Sequence, residues 1–166
     1  CGGQLATCAI NLSGASIEDE GLADFILDTI ERNAVPARQV CLEITETVAV
    51  RDLLRVVRMI ERLRAAGCRI ALDDFGAGMA SFGYLKNLPV DIIKIDGSFV
   101  RNLDSAPMNR IIIDAVSRIS HERGAKVVAE WVEDARCLEV LRSLGVDYAQ
   151  GFFLHRPERV LFQREA

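Results

Sequence analysis

The chain has 166 residues, half of them apolar, with 20 basic against 24 acidic side chains and a formal net charge of −4. That composition supplies a sizeable apolar core. It argues against a nucleic-acid polymer as partner, because proteins that bind one carry basic patches. No apolar run reaches the ~20 residues of a membrane span, so no membrane contact is expected of this domain.

Leu5 to Leu12 reads as a first strand, and Ser16 is expected to cap a helix whose first turn carries Glu18, Asp19 and Glu20 at the positive end of its dipole. That helix should bury Leu22, Phe25, Ile26 and Ile30 at helical spacing and stop before Pro36. Val40 to Thr45 is the second strand, followed by one long helix from about Val50 to Ala66 that ends at Gly67. Arg69 to Asp74 is the third strand. A glycine-rich loop and a short helical turn from Phe82 to Asn87 lead through Pro89 to the fourth, Asp91 to Asp96. A helix from about Met108 to Arg123 ends at Gly124, Lys126 to Trp131 is the fifth strand, Asp134 caps a helix to Leu144, and Asp147 to Leu154 is the sixth. The five cysteines (Cys1, Cys8, Cys41, Cys68, Cys137) form no close pair and read as reduced core thiols. His121 reads as a solvated helix residue and His155 as a loop residue, so no histidine-based metal site is expected.

Strand and helix alternate at a pitch of about thirty residues, which means parallel pairing with right-handed crossovers. An open doubly wound sheet and a closed barrel both fit that rhythm. The polar residues favour the barrel. Asn11, Glu43, Asp73 with Asp74, Lys94, Glu130 and Gln150 stand at or near the C-terminal ends of six successive strands. An open sheet gathers its ligand groups at one switch point, whereas a barrel gathers them around one mouth. The expected fold is therefore α/β, a TIM-type (β/α)8 barrel with about six of its eight units in this chain, the rest lying N-terminal to Cys1.

Asn11, Glu43, Asp73, Asp74 and Glu130 are hard oxygen donors suited to Mg²⁺ or Mn²⁺. A two-ion centre of this kind drives in-line displacement at phosphorus. Lys94 would add a fixed cation beside the water or the phosphate, and Glu130 would accept the water's proton. Each residue taken singly has a bland structural explanation; six strand ends together do not.

The ordered motifs Asn11-Leu12-Ser13, Glu43-Ile44-Thr45-Glu46, Asp73-Asp74-Phe75-Gly76-Ala77-Gly78, Lys94-Ile95-Asp96, Ala129-Glu130-Trp131-Val132-Glu133 and Gln150-Gly151 resemble those of the EAL domain family, bacterial cyclic di-GMP phosphodiesterases. The resemblance runs from Asn11 to Arg156-Pro157 and implies hydrolysis of cyclic di-GMP to linear 5′-pGpG with two Mg²⁺ or Mn²⁺ ions. It implies Asn11, Glu43 and Asp73 as ligands of one ion, and Asp73, Asp74 and Glu130 around the second. Lys94 and Glu130 are the implied water-activating pair, and the nucleophile is a water held by metal.

Glu46 resembles the glutamate that steadies the loop of Phe75, Gly76, Gly78 and Ser81. Asp96, Glu133, Gln150, Gly151, Arg156 and Pro157 resemble positions that face the ligand or support the ligand-binding groups. The resemblance further implies one domain over residues 1–166, the C-terminal two-thirds to three-quarters of the family unit, and a cytoplasmic setting. A homodimer formed around that loop, and attached sensor or diguanylate cyclase domains, are also implied. The chain departs from the family pattern in lacking the glutamate-alanine-leucine signature strand, whose glutamate is itself a ligand, and in carrying Met79-Ala80-Ser81 and Trp131. A receptor that binds cyclic di-GMP without cleaving it is the alternative, and the retained donors argue against it. An enolase-type Mg²⁺ enzyme with Lys94 as base is a more distant one.

Overall fold

The computed structural model describes residues 6–77 and 83–157. Six strands form one parallel sheet: β1 (Cys8–Asn11), β2 (Val40–Thr45), β3 (Arg69–Phe75), β4 (Ile92–Ile95), β5 (Lys126–Ala129) and β6 (Tyr148–Ala149), in the order β1-β2-β3-β4-β5-β6. Spatial order equal to chain order leaves no switch point. Every right-handed crossover then lands on the same face, and the sheet curls into part of a barrel rather than an open doubly wound sheet.

The helices are α1 (Gly14–Ile17), α2 (Leu22–Arg32), α3 (Glu46–Arg51), α4 (Leu53–Ala65), α5 (Gly97–Val100), α6 (Pro107–Glu122) and α7 (Ala135–Ser143). None is long and apolar enough to cross a membrane.

Period-two alternation sorts each strand between two environments. Leu42, Ile44, Ile70, Leu72, Ile93, Ile95, Val127 and Ala129 are buried in one core with Val56, Ile60 and Leu63 of α4 and Ile113 and Val116 of α6. The alternate positions, Cys41, Glu43, Ala71, Asp73 and Lys94 among them, therefore face the inside of the curl. Burying a Leu or Ile side chain contributes about 1.5–3 kcal/mol, so this core fixes which face each polar strand-end residue must take.

Several local expectations change. Ser16 does not cap the first long helix. Ser13 caps the single turn of α1 by accepting from the Ser16 amide, and α2 begins only at Leu22, after an Asp19 turn. Phe25 lies outward at 63% exposure, while Ala23 takes the buried position on α2. The long second helix is two, because Asp52 leaves helical geometry (φ −140°, ψ 69°) and caps α4 through the Arg55 amide. Cys41 and Cys68 are buried as expected, but Cys8 on the edge strand β1 is exposed. The four described cysteines are unbridged, and burial pushes the Cys41 thiol up to about 11. Beyond Ala149 the sixth segment turns rather than extending to Leu154. The one-turn helix α5, capped by Asp96, was not anticipated because four residues carry no periodicity.

Two aspartates pin the N-terminal ends of the strands by one repeated device. Asp91 accepts from the Ile70 amide of β3 and from Arg64, and Asp147 accepts from the Val127 amide of β5, Lys126 and His121. Burial alone would raise the Asp147 pKa, but these donors outweigh it and hold the carboxyl down to about 2. A depressed carboxylate pKa stabilises the fold above the unfolded value and loses that contribution as pH falls toward 2. Asp147→Asn should therefore cost about 1–2 kcal/mol at pH 7. Urea denaturation should show the difference from the parent shrinking between about pH 4 and pH 2.

Candidate active site

The inward residues at the C-terminal ends of β2, β3 and β4, with Glu130 just past β5, converge on one point. Lys94 Nζ lies 3.0 Å from Glu43 Oε2, 2.9 Å from Asp73 Oδ1 and 2.9 Å from Glu130 Oε1. The Lys94, Glu43 and Asp73 residues are buried and Glu130 is half-buried. Burial pulls the Lys94 pKa down, but hydrogen bonds to Asp73, Glu130 and Glu43 more than reverse this and keep the ammonium charged. A lysine held charged by three carboxylates is not poised as the neutral base that the enolase-type alternative needs.

Consecutive strand residues ordinarily point to opposite faces, so Asp73 and Asp74 should not both reach the mouth. A bulge solves this. The register runs Ala71↔Ile92 and Leu72↔Ile93, then resumes at Phe75↔Ile95, leaving two aspartates opposite Lys94 alone. Asp74 takes left-handed backbone with φ 53°. Aspartate tolerates that region better than most residues, at a cost of about 1 kcal/mol or more. One carboxylate oxygen from each of Asp73, Asp74 and Glu130 then falls within 4.8 Å of the others.

Four carboxylates thus face a single ammonium, and the titration directions register the deficit of positive charge. Burial, then the charges of Asp73 and Asp96, pushes Asp74 up against the pull of Lys94. Burial likewise pushes Glu130 up, opposed by Lys94 and reinforced by Asp73 and Asp74. Hard oxygen donors short of cationic partners are the setting a divalent ion fits. Asn11 ends β1 as the register partner of Glu43, which adds an amide next to the cluster.

The remaining anticipated residues fall into three groups. Glu46, the first residue of α3 and buried, accepts from the Gly76 amide at 2.9 Å and from the Tyr84 hydroxyl at 2.6 Å. It grips the chain on both sides of residues 78–82. Gly76 must be glycine: its φ is 97°, and a Cβ there would lie 2.4 Å from Phe99. Phe75 packs into the core, while Gly78 and Ser81 lie outside the described residues.

Asp96 caps α5 through the Ser98 amide and stands near enough to Asp74 to raise it. Glu133, Gln150 and Gly151 line a cavity of about 210 Å³ together with Glu130. Arg156 places its guanidinium 5.4 Å from the ring of Phe152, which lines the same cavity, and Pro157 is exposed.

Sequence reading missed Tyr84 as the second hold on Glu46, Phe99 as the wall behind Gly76, and Arg101 stacked 4.2 Å from the Trp131 ring centre. All three contacts join segments far apart in the chain, and no local pattern marks them.

A parallel barrel sheet with an acidic cluster at its C-terminal mouth puts the chain in the class of β/α barrels with a candidate cation site at the strand ends. The EAL domain model matches residues 2–157, and the chain belongs to the EAL domain family. It is 41% identical over 150 residues to cyclic di-GMP phosphodiesterase PdeB of Shewanella oneidensis, covering 90% of the chain and 18% of that protein. It is 36% identical over 152 residues to cyclic di-GMP phosphodiesterase PdeA of Borreliella burgdorferi, covering 92% of the chain and 23% of that protein. The chain therefore spans about a fifth of the length of these relatives. The solved structure "PaMucR Phosphodiesterase, c-di-GMP complex" superposes with a TM-score of 0.86 at 36% identity, over 91% of this chain and 67% of that one.

Glu46→Ala should destabilise the chain by about 2–4 kcal/mol, since it strands a buried hydroxyl and an amide. A denaturant midpoint within error of the parent's would show that those two bonds contribute nothing net.

Proposed function

We propose that this chain forms the catalytic part of a cyclic di-GMP phosphodiesterase that hydrolyses its substrate to linear 5′-pGpG. The observation that carries this reading is the junction of Glu43, Asp73, Asp74 and Glu130 around one ammonium, in a chain of this family. Relatives named as cyclic di-GMP phosphodiesterases and a related structure in complex with c-di-GMP support the substrate.

Asn11, Glu43 and Asp73 would hold one Mg²⁺ or Mn²⁺ ion, and Asp73, Asp74 and Glu130 would hold a second. Bound there, such ions neutralise phosphate charge and acidify water. Glu130 accepts the proton of the attacking water. Lys94 keeps Glu43, Asp73 and Glu130 in register and sets a fixed positive charge beside the phosphate. The water oxygen bonds to phosphorus as the P–O3′ bond breaks, the 3′ oxygen takes a proton from solvent water and leaves as a hydroxyl, and Glu130 gives up to solvent the proton it accepted. Glu46 acts at a distance by fixing the turn after Asp74. The same reading has the domain work in the cytoplasm, as a homodimer, beside sensor or diguanylate cyclase domains.

The test is incubation of the chain, and of an N-terminally extended form, with cyclic di-GMP and Mg²⁺ or Mn²⁺, with product followed by anion-exchange chromatography. Release of pGpG is expected, and Glu130→Gln should slow it about 10²–10⁴-fold while ligand binding persists. Parental turnover by that variant would remove Glu130 as the base. Bound ligand without product in either form would replace the hydrolase with the receptor.

Metal binding is read separately. Mn²⁺ at a hundredfold excess over its Kd should stabilise the parent by about 2–3 kcal/mol, and Asp73→Asn should abolish most of that shift in a thermal melt.

A further inference from the structure

Tyr84 opens the short helical turn Tyr84–Asn87 that precedes β4. That turn has firm anchors of its own. Leu85 and Leu88 are buried, and Arg123, just past α6, donates to the Lys86 and Leu88 carbonyls at 2.7 and 3.1 Å. The Tyr84 ring packs against the same core, as a phenylalanine ring would. The turn is therefore held without the Tyr84 hydroxyl, whose bond runs to a different element.

The hydroxyl donates to Glu46 Oε1, at the start of α3, over 2.6 Å. Burial, then this bond, pushes the phenol far above its ordinary range, so the hydroxyl keeps its proton and donates. The other oxygen, Glu46 Oε2, accepts from the Gly76 amide at 2.9 Å. Among the described residues these two groups are the donors to a carboxylate that is only 4% exposed. Removing the hydroxyl would leave Oε1 bare in a buried site, and the carboxylate would then turn toward water at the expense of Gly76.

Gly76 lies two residues past Asp74, in a turn closed by the Ala77 amide on the Asp74 carbonyl at 3.1 Å. Asp74 and Gly76 both have left-handed backbone, with φ 53° and 97°. Aspartate leaves that region when nothing holds it there. The Gly76–Glu46 bond ties this turn to α3, and the turn keeps an Asp74 oxygen within 4.8 Å of Asp73 and Glu130.

We propose that Tyr84 is a positioning residue of the cation site: its hydroxyl occupies one oxygen of Glu46, leaves the other to hold the Gly76 amide, and so fixes the turn that aims Asp74. The inference rests on the phosphodiesterase reading above, which gives the cluster its ions, and adds to it a residue that acts through Glu46.

Tyr84→Phe tests this, because the ring stays and only the O–H goes. In the metal-free chain, hydrogen exchange at the Gly76 amide, followed by NMR, should quicken about tenfold, the size of one lost hydrogen bond to a charged group. Calorimetric titration should show the Mn²⁺ Kd rising by about the same factor. Turnover of cyclic di-GMP at limiting Mn²⁺ should fall and recover at saturating Mn²⁺, with KM unchanged. Arg123→Gln is the contrasting variant. It frees the carbonyls of the same turn and should lower the unfolding temperature while leaving the Mn²⁺ Kd at the parent's value. An unchanged Kd in Tyr84→Phe, or an equal rise in Arg123→Gln, overturns the proposal while the phosphodiesterase reading stands. A parent chain that binds no Mn²⁺ overturns that reading first and the role of Tyr84 with it.

Discussion

One ammonium group ties the mouth of this barrel together. Lys94 on β4 bonds carboxylates from β2, β3 and the end of β5 within 3.0 Å, so four neighbouring strands meet at a single atom. Without it, Glu43, Asp73 and Glu130 would repel one another in a buried site. With it, they are held close enough to be used, yet still short of positive charge. The lysine satisfies part of the cluster, and the unsatisfied remainder is what a divalent cation would meet.

The rest of the architecture serves that meeting. The apolar faces of β2 to β5, packed on α4 and α6, leave the alternate residues no direction but inward. Asp91 and Asp147 secure the opposite ends of the strands by binding the amides of Ile70 and Val127. The precision of the mouth is thus underwritten by charge clamps at the far end of the sheet. At the mouth Asp74, next to the last residue of β3, and Trp131, two residues past β5, both take left-handed geometry, as Ala34 and Asn102 do elsewhere.

Alternation of strand-like and helical patterns determined a parallel sheet with right-handed crossovers, and polar residues at six strand ends favoured the barrel over the open doubly wound sheet that fits the same rhythm. It likewise determined Glu43, Asp73, Asp74, Lys94 and Glu130 as one chemical set, since a residue at the C-terminal end of a barrel strand can face only the mouth or the helices. Tertiary structure alone decided how two adjacent aspartates share that mouth. Their bulge depends on the β3–β4 register, which is a pairing and not a local preference. It also decided the outward turn of Phe25 and the second hold of Tyr84 on Glu46. Propensity and periodicity act over a few residues, whereas the bulge and the Tyr84–Glu46 bond are set by contacts between segments well separated in the chain.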